Sequence, residues 1–410
     1  MSQDLAGAQR FNVLLVYVFG CLTTASHGGT ELAFPLNLDR LGYPLPSIGA
    51  AVALMGFGSL ASRIPGGVWY RLAWARWLNA GALALMALTS IALGPLDPWP
   101  LQAALGTLHG FAFGLATTFA LAYLIEIDPR EGNVAATMAW YTGAVSAGYA
   151  IGAPLASEAI VHGGHAAAFA VSGLVGILGA AVTLGLRPLP APEAARDRVA
   201  ENALALARGC RGLAGLPGGV WLATLVVFYL NFLGDTYNAF FPIYAVGVGI
   251  PLVTVGALKS VNSLAGTAIR FAAAGLFRFV SPVVVNHGSI VTVAAGFIAL
   301  AATTNEALLF VVLVVMGAAR GLLRVTSTTA VAEERRRPGV NVGLASGVFN
   351  GGLDAGTMLG PPVSGALAGL VGIPMTFRII AVALPSLYYA VLLAQRLRPA
   401  RTAVDLGQAS

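Results

Sequence analysis

The chain has 410 residues, 57% of them hydrophobic and only 10% charged, with a net charge of +6. A soluble chain of this length would form two or three domains with far more surface charge, so the composition excludes a soluble globular fold and points into lipid. Nucleic-acid binding is excluded too, because the arginines are scattered among apolar runs and gather on no polar face.

A helix that crosses a bilayer takes about 20 mostly apolar residues. Runs of that kind predict helices at 11–36, 46–69, 77–95, 100–125, 134–160 and 166–187, then at 219–245, 251–273, 285–304, 307–331, 342–369 and 375–396. The first run opens like a secretory signal, with Arg10, an apolar stretch from Phe11 and small residues near Ala25. It resumes through Leu32 to Leu36, however, and a similar segment recurs near residue 240, where no signal could sit. Between the sixth and seventh runs lies the longest polar stretch, Arg187 to Arg211, with Pro188, Pro190 and Pro192. The expected organisation is therefore a six-helix bundle over residues 1–187, a linker over 188–217 and a second six-helix bundle over 218–410 with a short tail.

Lys and Arg are enriched on the cytoplasmic side of a membrane protein. With the N-terminus inside, Arg10, Arg63, Arg71, Arg76, Arg130, the linker arginines, Arg270, Arg278, Arg335 to Arg337, Arg396, Arg398 and Arg401 all fall on that side. Only Arg40 and Arg378 fall outside. This predicts two cytoplasmic termini and a cytoplasmic linker in the plasma or inner membrane.

The two halves repeat at an offset of about 207 to 211 residues, the trace of a duplicated transporter. Pro35 matches Pro242, Gly49 matches Gly256, Arg63 matches Arg270 and Arg71 matches Arg278. The run from Gly110 to Thr118 matches the run from Gly321 to Thr329, which sets His109 opposite Arg320. Gly143, Gly148, Gly152 and Pro154 match Gly351, Gly356, Gly360 and Pro362. Small residues about four apart let helix backbones approach in lipid, so packing is the plain reading of these glycines.

The connection after the second helix, Gly66 to Arg76, resembles the Gly-x-x-x-Asp-Arg-x-Gly-x-x-Arg signature of the major facilitator superfamily, with Gly66, Arg71 and Arg76 in place. Tyr70 stands at the aspartate position and Ala73 at the second glycine. The resemblance implies an all-α fold of twelve transmembrane helices in two pseudo-symmetric bundles, with the third helix of each three-helix unit facing lipid and the others lining a central cavity. In that family the aspartate helps latch the cytoplasmic ends, and its replacement puts the latch in doubt. Arg63, Gly66, Arg71, Arg76, Arg270 and Arg278 are the expected cytoplasmic gating residues. The fifth helix, with Gly143, Gly148 and Gly152 to Pro154, also resembles a signature of exporters.

Charges inside a span are costly and mark functional sites. They recur here at helical spacing, placing each pair on one helix face: His27 with Glu31, Asp235 with Asn238, Lys259 with Asn262, Arg320 with Arg324, and Asn350 with Asp354. Arg320, Arg324 and Lys259 are read as an electropositive wall for an anionic or zwitterionic group, since arginine matches a carboxylate or phosphate with two parallel hydrogen bonds. His109, Asn238, Asn262, Asn350 and Tyr141 complete the expected substrate site, and Trp140 reads as an interfacial anchor. Glu31, Asp235, Asp354 and His27 are the candidates for proton coupling. Similar depth predicts an Arg320–Asp354 ion pair. The alternative for all these charges is mutual neutralisation that merely fixes helix register.

No Gly-x-x-x-x-Gly-Lys-Ser/Thr sequence is present, so ATP drive is not expected. Cys21 and Cys210 suit neither a disulfide framework nor a metal site, and His162 with His165 lacks a supporting cluster. No cofactor or metal is expected. The sequence therefore reads as a monomeric, proton-coupled secondary transporter of a small anionic, zwitterionic or amphiphilic organic solute, working by alternating access. The glycine-rich fifth helix tilts the reading from uptake toward export. A transporter-like sensor and a membrane-embedded enzyme are the alternatives.

Overall fold

The structure is a computed structural model describing residues 2–127, 134–189, 216–334 and 342–397. Most of the expected linker (190–215) lies outside the described residues, as do Cys210, Arg130, Arg335 to Arg337, Arg398 and Arg401.

The chain enters as α1 (Ser2–Arg40), turns back as α2 (Leu45–Trp69), passes a short 3-10 turn (Leu72–Trp74) and continues as α3 (Ala75–Leu93) and α4 (Trp99–Ile127). The next helical stretch, Val134–Leu184, would be about 77 Å long at 1.5 Å per residue, more than twice a bilayer's hydrocarbon thickness. It is divided at Gly164, whose φ of 75° and ψ of −179° only glycine adopts without strain. The result is two helices, α5 (134–163) and α6 (165–184). The remainder is α7 (Gly218–Gly247), α8 (Leu252–Leu276), α9 (Pro282–Leu300), α10 (Glu306–Glu334), α11 (Val342–Val371) and α12 (Ile373–Leu397). Among the described residues, ten helical stretches, with Thr137–Leu184 taken as one, are long and apolar enough to cross a membrane. α11 falls short of that hydropathy because it is rich in glycine and carries Asn350 and Asp354.

Call the end where α1 begins basal and the opposite end distal. Short connections make successive helices antiparallel. At the basal end the Asn12 amide donates to the Tyr123 hydroxyl (2.7 Å) and the Arg187 carbonyl (2.9 Å). At the distal end the Tyr43 hydroxyl donates to the Asp97 carbonyl (2.9 Å) and the Trp99 indole to the Ser47 carbonyl (3.1 Å).

Glycines set the helix contacts. A Cβ on Gly148 or Gly152 of α5 would overlap the Cys21 or Ala25 carbonyl of α1. In the second set, a Cβ on Gly356 or Gly360 of α11 would lie 2.5 Å from the Phe228 carbonyl or 2.6 Å from the Phe232 carbonyl of α7. Cys21 and Ala25 stand 207 residues before Phe228 and Phe232, so the expected duplication has its counterpart in three dimensions. In both halves these glycines serve helix packing.

In α4 and α10 the register differs from the expectation. Gly110 and Gly114 rest on Met55 and Ser59 of α2, whereas Gly317 and Gly321 rest on Asn262 and Gly266 of α8. The offset is therefore 207 residues, as in the neighbouring helices, and Arg320 is the counterpart of Phe113, one turn from His109. Recurring Gly and Thr residues allow an alternative match in sequence that packing resolves.

α1–α6 and α7–α12 meet along α2–α11, α5–α8 and α1–α7, while α3, α9 and α12 pack within their own sets. One core joins both sets. Its members from the first set, Leu32 to Leu38, Ile48 to Met55, Leu93, Ala153, Ala156, Ala168 and Phe169, all lie toward the distal end. Toward the basal end each set has its own core: one around Val16, Phe19 and Phe119, the others around Val227 and Val220. Close backbone approach seals the distal end, where a Cβ on Gly49 would overlap the Pro361 carbonyl and one on Gly256 would overlap Ser157.

Candidate functional site

Between the two sets, at mid-span and on its basal side, lie two adjoining cavities of about 200 and 400 Å³. Glu31, Tyr149, Asp235 and Asn238 line both. The Asn238 amide donates to Glu31 Oε1 (3.0 Å), and Lys259 Nζ stands 3.7 Å from Glu31 Oε2. Glu31 and Asn238 are repeat counterparts, 207 residues apart, so this contact sits on the pseudo-twofold axis and joins α1 to α7. The Thr357 hydroxyl faces the Asp235 carboxylate, which also feels the charges of Glu31, Arg320 and Lys259. Two carboxylates and two cations thus form a balanced quartet in the centre of the molecule.

Several donors at the larger cavity are unsatisfied. Lys259 is 6% exposed, Asn262 4% and Tyr237 2%, and Lys259 Nζ, Asn262 Nδ2, the Tyr237 hydroxyl and Arg320 Nε are all buried without a hydrogen-bond partner. A buried donor left unmade costs about 1–3 kcal/mol, and four around one space describe a place for acceptor oxygens. Arg270 and Arg324 extend the positive wall basally.

Asp354 does not pair with Arg320 as expected. Its partner is Arg63 of α2 (3.5 Å), because Asp354 lies two turns basal of Pro361, facing α2, while Arg320 lies beside Asp235. This ion pair crosses between the sets in the basal half. Arg71 and Arg76 act locally: Arg71 donates to the Val68 and Tyr70 carbonyls (both 3.1 Å) at the end of α2, and Arg76 lies over Trp77. Gly66 admits Leu115 and Thr118 of α4, and Arg278 is exposed. Tyr70, at the position of the signature aspartate, donates to Glu126 of α4 (3.1 Å). Burial, and then the adjacent Glu126 carboxylate, push its hydroxyl well above its ordinary value, so it stays a neutral donor. This contact lies within one set and does not latch the two together.

His27 lines the smaller cavity, and its Nδ1 meets His109 Nε2 at 3.2 Å. His109 Nδ1 in turn meets the Met86 carbonyl at 3.2 Å. A carbonyl can only accept, so His109 carries its proton on Nδ1, His27 donates from Nδ1, and the His27 Nε2 acceptor is left over. His109 is fully buried and lines neither cavity, which follows from the one-turn register difference in α4. Asn350 is exposed and also lines neither, Tyr141 packs against Gly20, and Trp140 is 68% exposed. Sequence reasoning missed Tyr149, Tyr237, Phe113 and Thr357. For Tyr149 a signal existed, because Thr142, Val145, Ser146 and Tyr149 form an i, i+3, i+4, i+7 stripe, and all four line the larger cavity. Tyr237 gave none, being one aromatic among many in α7. Among the described residues no group of three or more His, Cys, Asp or Glu could hold a metal.

The profile of the Major Facilitator Superfamily matches residues 16–341. A point mutant of the nucleoside transporter NupG has a similar crystal structure, with TM-score 0.76 and 16% identity over 93% of this chain and 99% of that one. NupG itself gives 0.74 and 15%, covering 94% and 99%. A bacterial homolog to the human lysosomal transporter Spinster, inward-facing and unoccupied, gives 0.72 and 15%, covering 96% and 99%. No curated protein matches the chain in sequence.

Proposed function

Because the chain belongs to the major facilitator superfamily and is a multi-pass membrane protein, not an enzyme, we propose that it is a secondary transporter moving a small organic anion together with a proton. One observation carries this: Glu31, Asp235, Lys259 and Arg320 meet at a cavity where Lys259, Arg320, Asn262 and Tyr237 of the lining each hold a buried donor without a hydrogen-bond partner. An anion held by Lys259 and Arg320 competes with Glu31 and Asp235 for those cations, and a buried carboxylate that loses its cation is expensive. A proton on Glu31 or Asp235 restores the balance, so anion and proton bind best together. In this reading the basal end is cytoplasmic, as the arginine distribution suggests. The shared distal core and separate basal cores then correspond to an inward-facing state. The likeness to a nucleoside transporter, at 16% identity, speaks for the fold and leaves the substrate open.

The test uses proteoliposomes with an imposed pH gradient. Glu31→Gln or Asp235→Asn keeps counterflow, which needs no net driving force, and loses gradient-driven accumulation. Wild-type accumulation by both variants would mean that neither carboxylate couples.

A further inference from the structure

The 207-residue register read from packing allows each wall of the cavity to be compared with its counterpart. Lys259 and Asn262 of α8 answer to Val52 and Met55 of α2, and Arg320 of α10 answers to Phe113 of α4. His27 of α1 answers to Gly234 of α7. The two walls therefore share a backbone plan and differ in chemistry: donors on the second, aromatic and apolar groups on the first.

The last pair explains how. In the first set, the His27 ring covers Phe113 face to face, with centroids 3.8 Å apart and planes at 6°, and Tyr149 meets His27 edge-on. In the second set, a Cβ on Gly234 would overlap Arg320 Nη2. The guanidinium thus occupies the space that a side chain at position 234 would fill. Gly234 lies mid-helix, where glycine costs helix stability relative to alanine, so its presence calls for a packing or functional reason.

Resting on the transport reading above, we propose that the two adjoining cavities take an aromatic organic anion in one orientation, its acid group against Arg320 and Lys259 in the larger and its ring against Tyr149 and the His27 ring that covers Phe113 in the smaller, and that Gly234 is the positioning residue that admits the Arg320 guanidinium. The symmetric alternative, acid toward the first set, lacks its donors, because Val52, Met55 and Phe113 stand there at the counterparts of Lys259, Asn262 and Arg320. Arg320 Nε and Lys259 Nζ, both buried and without hydrogen-bond partners, supply charge-assisted donors for the acid oxygens.

The full-length purified protein is melted with three probes that differ only in the head group: 2-naphthoate, 2-naphthamide and 2-naphthylmethylamine. At saturating concentration the acid raises Tm by about 3 °C, and the amide and amine by less than about 1 °C. Gly234→Ala weakens naphthoate binding about tenfold while the unliganded Tm stays near wild type, because the new Cβ displaces only the mobile end of Arg320. Arg320→Gln gives the same loss independently of any change at position 234. Stabilisation by the amine, equal stabilisation by acid and amide, no stabilisation by the acid, or wild-type naphthoate affinity in Gly234→Ala would each overturn the proposal. Those outcomes leave the transport reading standing if counterflow of another solute persists, whereas loss of all counterflow would sink both.

Discussion

At the residue scale, the site rests on a few polar atoms that no helix needs for its own stability. Arg320 lies against the backbone of α7 with Nε unpaired, so Arg320→Ala should weaken binding of an anionic ligand about 30-fold, the worth of a charged hydrogen bond, while the protein inserts normally. Titration of purified variant and wild type reads this directly, and unchanged affinity would remove Arg320 from the site. Arg63 and Arg71 should differ. Arg63→Ala breaks a partly exposed pair with Asp354, worth about 1 kcal/mol or less, and so shifts the balance of conformations up to about fivefold; Arg71→Ala removes only local contacts to Val68 and Tyr70. Because the Arg63–Asp354 pair is made in the distally sealed state, alkylation of a cysteine placed at Ser146, in a background lacking Cys21 and Cys210, should slow in the first variant and not in the second. Much of the quartet was readable in the sequence, because a charge in an apolar run announces itself: Glu31, Asp235, Lys259 and Arg320 all face one space. Their partners were not. Which cation meets which carboxylate depends on helix rotation and depth to within one turn, and that is why Asp354 meets Arg63 and not Arg320.

At the scale of the element, glycine decides how near two helices come. Gly148 and Gly356 serve equivalent contacts, α5 on α1 and α11 on α7, so replacing either by leucine should cost about 2–3 kcal/mol of stability by overpacking. Comparable drops in the melting temperature of the purified variants would bear this out, and a drop in only one would argue against equivalence of the two sets. Gly49 is a different case, because its contact with Pro361 joins the two sets at the distal end. Gly49→Leu should penalise the distally sealed state alone and slow alkylation at Ser146 as the basal side closes. The helices were largely readable from hydropathy and the placement of glycine and proline. α11 is too glycine-rich to stand out by hydropathy alone and is recognised by its match to α5. The α4–α10 register was not readable, because Gly and Thr recur every few residues there and two alignments compete; the resting points of Gly114 on Ser59 and Gly321 on Gly266 choose between them.

For the whole molecule, one hydrophobic core spans both sets distally and separate cores hold each set basally, with the charged cavity at the boundary between the two regimes. Moving that boundary through the membrane would expose the quartet to the other side, and the quartet's charge balance decides which loads can make the crossing. Joint loading of the anion and a proton is read by adding 2-naphthoate to purified protein in weakly buffered solution and following proton uptake as binding proceeds. Wild type should take up to about one proton per ligand bound, and Glu31→Gln or Asp235→Asn should abolish or sharply reduce that uptake, as linkage between two bound species requires. Saturating binding with no proton uptake by wild type would contradict joint loading.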